Sequence, residues 1–231
     1  GLDNWLHCAN GWSGGRPRSL KTGAEMDLSG RDLRIKPDEG FIEAESGQSE
    51  FGRNRNDWDE WFGCDNSYPL FHFVLEDRYM RRNPYVAAAE SKRQIYLPAN
   101  PKVYPLSQGQ KRYHSFEQAG HFTSACSTDL YRDDWLFPRS DDTEHVFICE
   151  PVHNLVQHLL VRAEGVTFSA VRAEREGEPE FLASEDQWFR PVMARTGPDG
   201  ALWVVDMYRY MIEHPDWLPP EGRRELEPFY R

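Results

Sequence analysis

The sequence has no run approaching the roughly 20 apolar residues that a membrane-spanning helix needs. It carries no Gly-x-Ser-x-Gly, His-Glu-x-x-His, Gly-x-Gly-x-x-Gly or P-loop pattern. That removes the commonest hydrolase, zinc protease and nucleotide-binding chemistries. Positive charge is scarce: 27 Lys and Arg stand against 38 Asp and Glu, a net charge of -11. A protein that displaces counterions from phosphates needs a basic face, so nucleic acid is not the expected partner. The four cysteines, Cys8, Cys64, Cys126 and Cys149, form no Cys-x-x-Cys. Zinc-ribbon, thioredoxin and c-type haem signatures are therefore absent.

What the sequence does contain is a loose internal repeat. The run Asp57-Trp58-Asp59-Glu60-Trp61-Phe62-Gly63-Cys64-Asp65-Asn66 recurs near the N-terminus, where Asp3, Trp5, Cys8 and Asn10 superpose on Asp59, Trp61, Cys64 and Asn66. Glu144–Glu150 aligns Phe147 with Phe62 and Cys149 with Cys64, and Gly197–Asp206 has the same order of turn, apolar run and polar residue. With anchors at Leu6, Phe62, Phe147 and Leu202, the spacings are 56, 85 and 55 residues. A period in this range, on short strands that follow Asp/Gly turns, predicts an all-β protein of the β-propeller kind with about one blade per repeat. The longest interval is one repeat plus an insertion of about 30 residues. Eight Trp and sixteen Pro suit a loop-rich β architecture.

Blade units are expected at about 1–50, 51–75 with an insertion over 76–118, 119–180 and 181–231. Leu33/Ile35 and Phe41/Ile42 flank a Pro-Asp-Glu-Gly turn and read as an outer hairpin. The inner strands are placed at 122–126, 146–150, 188–194 and 202–206, with an outer pair at 155–161 and 166–171. A short helix is expected near Tyr85–Lys92, around Ala87, Ala88 and Ala89. The four repeats read as a segment of a six-bladed ring, and the chain, opening on Gly1 inside a repeat motif, as part of a larger polypeptide. The cysteines at equivalent strand ends are either buried small side chains or disulfides of an exported protein, Cys8 with Cys64 and Cys126 with Cys149.

Polar residues flanking inner strands are the candidates for chemistry. Arginines converging on a channel suit an anionic ligand, because guanidinium grips carboxylates bidentately; alternatively they pair across repeats and brace the ring. Glu150-Pro151-Val152-His153-Asn154 places a carboxylate and an imidazole at one strand end, a base with its partner. Asp65, Asn66 and Glu150 are oxygen ligands of the type calcium takes.

Several runs carry a resemblance: Gly1–Leu6, Phe51-Gly52-Arg53, Cys149–Asn154, Trp188-Phe189-Arg190-Pro191-Val192 and Val205–Tyr210 with Ile212-Glu213-His214-Pro215. Together they resemble the propeller domain of the membrane-bound dehydrogenases of planctomycetes and verrucomicrobia, the haem-binding family of that bacterial group. That propeller is in turn remotely similar to the soluble glucose and sorbosone dehydrogenases that use pyrroloquinoline quinone (PQQ). The resemblance implies PQQ held by Arg53, Asn54, Thr123 and Arg190, with His153 or Glu150 near a sugar or alcohol. It also implies an exported, periplasmic location and a cytochrome c domain or subunit as electron acceptor. Gly52-Arg53-Asn54 resembles the Gly-x-Arg-Asn turn of the sugar dehydrogenases. Three positions depart from that family: its quinone-pairing Lys has no counterpart, His153 standing nearest; Trp188 replaces an Arg; and its catalytic His would lie upstream of Gly1. Two further readings stand beside the dehydrogenase: a non-catalytic propeller that binds a glycan or a protein, and a hydrolase or lyase using Glu150 and His153 around calcium.

Overall fold

A computed structural model describes residues 3–87, 89–109, 120–138, 141–212, 214, 216 and 218–230. Their regular structure is mostly strand, arranged in four antiparallel sheets that follow one another along the chain. The first sheet has the order β1 (Leu6–Cys8), β2 (Arg31–Lys36), β3 (Phe41–Ser46). The second is a meander of β4 (Gly52–Arg55), β5 (Trp61–Asp65), β6 (Tyr68–Phe73) and β7 (Lys92–Gln94), with the one-turn helix α1 (Asp77–Met80) between β6 and β7. The third runs β8 (Cys126–Leu130), β9 (Glu144–Glu150), β10 (Leu155–Glu164), β11 (Thr167–Arg172), with β12 (Leu182–Ala183) added on β10. The fourth is the hairpin β13 (Pro191–Thr196) and β14 (Leu202–Asp206). A short helix, α2 (Pro220–Leu226), follows. No described helix is long and apolar enough to cross a membrane.

The all-β reading holds, and each of the four repeat anchors falls in a different sheet, on β1, β5, β9 and β14. The Pro37–Gly40 turn joins β2 and β3 as expected: Gly40 takes φ +73° and donates its N–H to the Lys36 carbonyl. Three local expectations are corrected. The helix near Tyr85–Lys92 is absent among the described residues, and α1 forms upstream instead. Three alanines cannot repay helix nucleation, and Lys92 is drawn into pairing with Phe73. The strand placed at 122–126 begins only at Cys126, because Thr123 and Ser124 turn their N–H groups to the Glu150 carboxylate rather than to a ladder. Strand β7 lies inside the stretch read as an insertion, since Lys92-Arg93-Gln94 has no apolar alternation to reveal it.

The sheets stack through two apolar interfaces. Phe62 and Leu70 meet Leu130, Val146, Ile148, Leu155 and Leu159 between the second and third sheets. Phe147, Cys149 and Val156 meet Ala194, with Leu202 and Val204 packed against them, between the third and fourth. Fully burying one such side chain is worth about 1.5–3 kcal/mol, so these two interfaces carry the fold. All four cysteines are free thiols. Cys8 shares a face with Leu6, turned away from the second sheet, whereas Cys64 points to the Ala125 carbonyl on the far side of that sheet, so the two cannot meet. Cys126 stands opposite Cys149 in the β8–β9 register, and the two thiols interact as free side chains, Cys126 Sγ also donating to the Val192 carbonyl at 3.5 Å.

Candidate functional site

The interface between the first and second sheets differs from the other two. On β1–β3 the residues turned to the second sheet are His7, Asp32, Arg34, Glu43 and Glu45; on the second sheet they are Arg53, Arg55, Trp61 and Phe73. All of these except the fully buried Asp32 line a cleft of about 220 Å³. Strand alternation produces this face: Arg53 and Arg55 are two apart on β4, paired in register with Gly63 and Trp61. Gly63 is required where it stands, because a Cβ there would come within 2.8 Å of Ser49 and 2.9 Å of the Phe73 ring. Its absence lets that ring approach, and the Arg53 guanidinium lies 4.6 Å from the Phe73 centroid and 4.8 Å from that of Trp61.

Arg53 is clamped. Its Nη1 donates to Asp32 at 2.8 Å and to the Ser46 carbonyl at 2.5 Å. Asp32 is fully buried and also accepts the N–H groups of Asn10 and Ser49 and the Ser49 hydroxyl. These contacts fill the Asp32 acceptor sites and offset part of the desolvation cost of the buried pair, although the Arg53 Nε–H has no partner.

His7 completes the cleft. Its Nδ1 lies 2.8 and 2.9 Å from the two carboxylate oxygens of Glu45, and its ring stands 4.1 Å from Trp61. Burial alone would raise the Glu45 carboxyl, but the His7 hydrogen bond and the charges of Arg53, His7 and Arg34 outweigh it and hold the group below its usual value. A carboxylate fixed on Nδ1–H orients the imidazole and leaves Nε2 as proton acceptor, the arrangement of a general base with its positioning partner. The sequence reading missed His7. The signal was available in the strict alternation of β1–β3, which puts His7 on the charged side with Arg34 and Glu43.

Of the six residues that the resemblance nominates, Arg53 lines this cleft and the other five do not. Asn54, its neighbour on β4, faces the opposite way and donates to Asp129 Oδ1 at 2.7 Å. The other four meet around the β9–β10 connection. Glu150, fully buried, accepts the Thr123 and Ser124 N–H groups at 3.0 and 2.9 Å and the Ser124 hydroxyl at 2.6 Å. It also takes the Nδ1–H of His153 at 3.1 Å. His153 Nε2 accepts the Gly120 N–H at 3.1 Å, which fixes the ring proton on Nδ1. Arg190 donates to the carbonyls of Pro151, Val152, Arg209 and Tyr210. Burial draws its pKa down to about 10, still charged at neutral pH. Oxygens and nitrogens engaged in this way make no common cradle for a quinone tricarboxylate, and Arg53 lies on another face. For calcium the fit fails on Glu150, whose carboxylate oxygens already accept four donors. Among the described residues no group of three His, Cys, Asp or Glu gathers as a metal site requires.

Asp129 offers a test of its own. It is 2 % exposed, its Oδ2 has no partner, and burial pushes its carboxyl up to about 6 despite Arg195 and Asn54. A carboxyl raised in the fold binds its proton more tightly there than in the unfolded chain, so stability falls as pH rises from about 4 to about 6. Asp129→Asn should flatten that part of the profile and raise stability at pH 7 by about 2 kcal/mol, read by urea denaturation at both pH values.

The family model described as Domain of unknown function (DUF7133) matches residues 1–230. The chain belongs to the DUF7133 family. No curated protein and no solved structure matches the DUF7133 chain.

Proposed function

We propose that the four sheets are consecutive blades of a β-propeller, and that this DUF7133 chain binds a hydroxylated ligand, a sugar or other alcohol, between the first two. In that reading it is the substrate-holding part of a dehydrogenase. The observation that carries it is the Glu45–His7 pair beside Trp61 and Arg53. The propeller reading draws support from the way the leading strands of successive sheets adjoin: Ser127 donates to the Phe51 carbonyl, and Ala194 to the Ser127 hydroxyl. Trp61 offers an apolar face to the C–H side of a sugar ring, while Glu43, Arg34 and Arg55 offer partners to its hydroxyls. Oxidising an alcohol removes the hydroxyl proton and a hydride from the same carbon. His7 Nε2 takes the proton. The hydride requires a two-electron acceptor of the quinone class, supplied from outside these residues.

A second reading is a propeller that binds a glycan without turnover. The engagement of Glu150, His153, Arg190 and Asn54 in bracing contacts favours it. Calorimetric titration with sugars and polyols, followed by oxidation coupled to a two-electron dye acceptor, separates the two. Turnover that His7→Gln lowers about 10²–10⁴-fold, with ligand affinity kept, supports the dehydrogenase. Binding that Trp61→Ala abolishes, without turnover in any condition, supports the glycan module. No saturable binding up to about 10 mM, where under about 3 kcal/mol of affinity remains, sinks both.

A further inference from the structure

The cleft that holds His7 and Trp61 has a neighbour. A second cleft, of about 310 Å³, opens between the same two sheets, with Trp12, Gly47 and Gln48 on the first-sheet side and Arg81, Ser91 and Lys92 on the other. Two stretches of chain pass from one cleft into the next. Ser46 lines the first cleft and gives its carbonyl to Arg53, while Gly47 and Gln48 line the second. Glu76 lines the first, Met80 and Arg81 line the second, and Asp77 lines both. The Asp77 carboxylate is thus a shared wall: Arg31 Nη1 donates to one oxygen at 3.2 Å and Arg81 Nε to the other at 2.8 Å. Two residues of chain span no more than about 8 Å, so the clefts adjoin.

The two clefts are built alike. In the first, the Arg53 guanidinium lies 4.8 Å from the Trp61 centroid. In the second, the Lys92 ammonium lies 4.7 Å from the Trp12 centroid, and Trp12 keeps 59 % of its surface exposed. A cation against one face of an indole holds the ring in place. Lys92 is itself engaged, with its Nζ 4.5 Å from the Phe71 centroid and 3.5 Å from the Gln48 carbonyl, which accepts from it. Arg81 is taken up by Asp77. The charged residues of the second cleft balance, Asp77 and Glu90 against Arg81 and Lys92. Cations engaged in this way do not select an anion. An indole bordered by amide, hydroxyl and carboxylate groups suits a neutral ring with an apolar C–H side and hydroxyl edges.

We infer that the two clefts form one groove for an oligosaccharide, with a terminal ring against Trp61 and His7 and the next ring against Trp12. The inference rests on the sugar reading proposed above and names its substrate class: a chain of neutral sugar units rather than a single sugar or a simple alcohol. Asp77, on the wall between the clefts, stands where the link between the two rings passes. Binding energy from the second ring, remote from the proton that His7 takes, then serves to orient the first.

Calorimetric titration of the whole chain tests it, with neutral glucose, galactose, mannose and xylose sugars of one to four units as probes. For the sugar that binds, the two- or three-unit form should bind about tenfold or more tightly than the single unit. Trp12→Ala should bring the longer sugar down to the affinity of the single unit. Trp12→Phe, which keeps an aromatic face, should recover most of the gain. Ser91→Trp, which fills the second cleft from its other wall, should act as Trp12→Ala does; circular dichroism and melting temperature check that each variant is folded. Equal affinity of the unaltered chain for one unit and for several overturns the inference and leaves the single-sugar reading standing. A gain that survives in both Trp12→Ala and Ser91→Trp does the same. No binding to the unaltered chain at any length overturns the inference together with the reading it rests on.

Discussion

Arg190→Ala is expected to destabilise the protein by about 4 kcal/mol, at the upper end of what single substitutions do. Arg190 is 1 % exposed and is the largest fully buried side chain among the described residues. Its guanidinium donates to four carbonyls from two stretches, Pro151 and Val152 beyond β9 and Arg209 and Tyr210 beyond β14. Alanine removes every donor at once. Each buried carbonyl left without a partner costs about 1–3 kcal/mol before relaxation or water entry, and the lost volume adds a cavity. For a chain of this length the melting temperature should drop by roughly 12 °C. Arg190→Lys should recover less than half, since one ammonium cannot span carbonyls that a planar fork reaches from two sides. An unchanged melting temperature with loss of an anionic ligand would instead return Arg190 to the ligand-binding role that the family resemblance implies.

Glu150→Gln should cost about 3 kcal/mol, although it alters no volume. One carboxylate oxygen accepts two backbone N–H groups, and the other accepts the Ser124 hydroxyl and the His153 ring. An amide nitrogen in either place meets donors. His153 cannot yield by changing tautomer, because its Nε2 already accepts the Gly120 N–H. The Ser124 hydroxyl, which already accepts the Val152 N–H, could accept an amide N–H only by losing the carboxylate as acceptor for its own proton. The loss should appear in urea denaturation with an unchanged slope, and His153→Ala combined with Glu150→Gln should cost less than the sum of the two, since they share one network. If Glu150 were instead a general base with no bracing role, the glutamine variant would melt like the parent and fail only in turnover.

Much of the fold was legible in the sequence. Alternation and turn residues located β2, β3, β9, β10, β13 and β14, and the repeat placed one anchor in each sheet. The facing of those anchors was not legible. Leu6 and Leu202 look equivalent to Phe62 and Phe147 as apolar residues, but a strand puts neighbours on opposite sides. In the folded chain it is His7 and Trp203 that share the facing of Phe62 and Phe147. That one-residue slip conceals the cleft, because an alignment on Leu6 leaves His7 outside the repeat pattern. Arg53 and Asn54 show the same rule: adjacent on β4, they serve different interfaces and cannot hold one ligand together.

Composition and pattern by themselves determined that this is a strand-built protein of repeated units, acidic, without a nucleotide loop or a zinc-finger spacing. Local pattern can determine this much because strand alternation and turn chemistry act within a few residues. Tertiary structure alone decided what the charged residues do. The partners of Arg190, Glu150 and His7 lie 19–39, 3–27 and 38 residues away in the chain. A guanidinium or carboxylate becomes a brace or a reactive group according to which donors and acceptors the fold brings within about 3 Å of it.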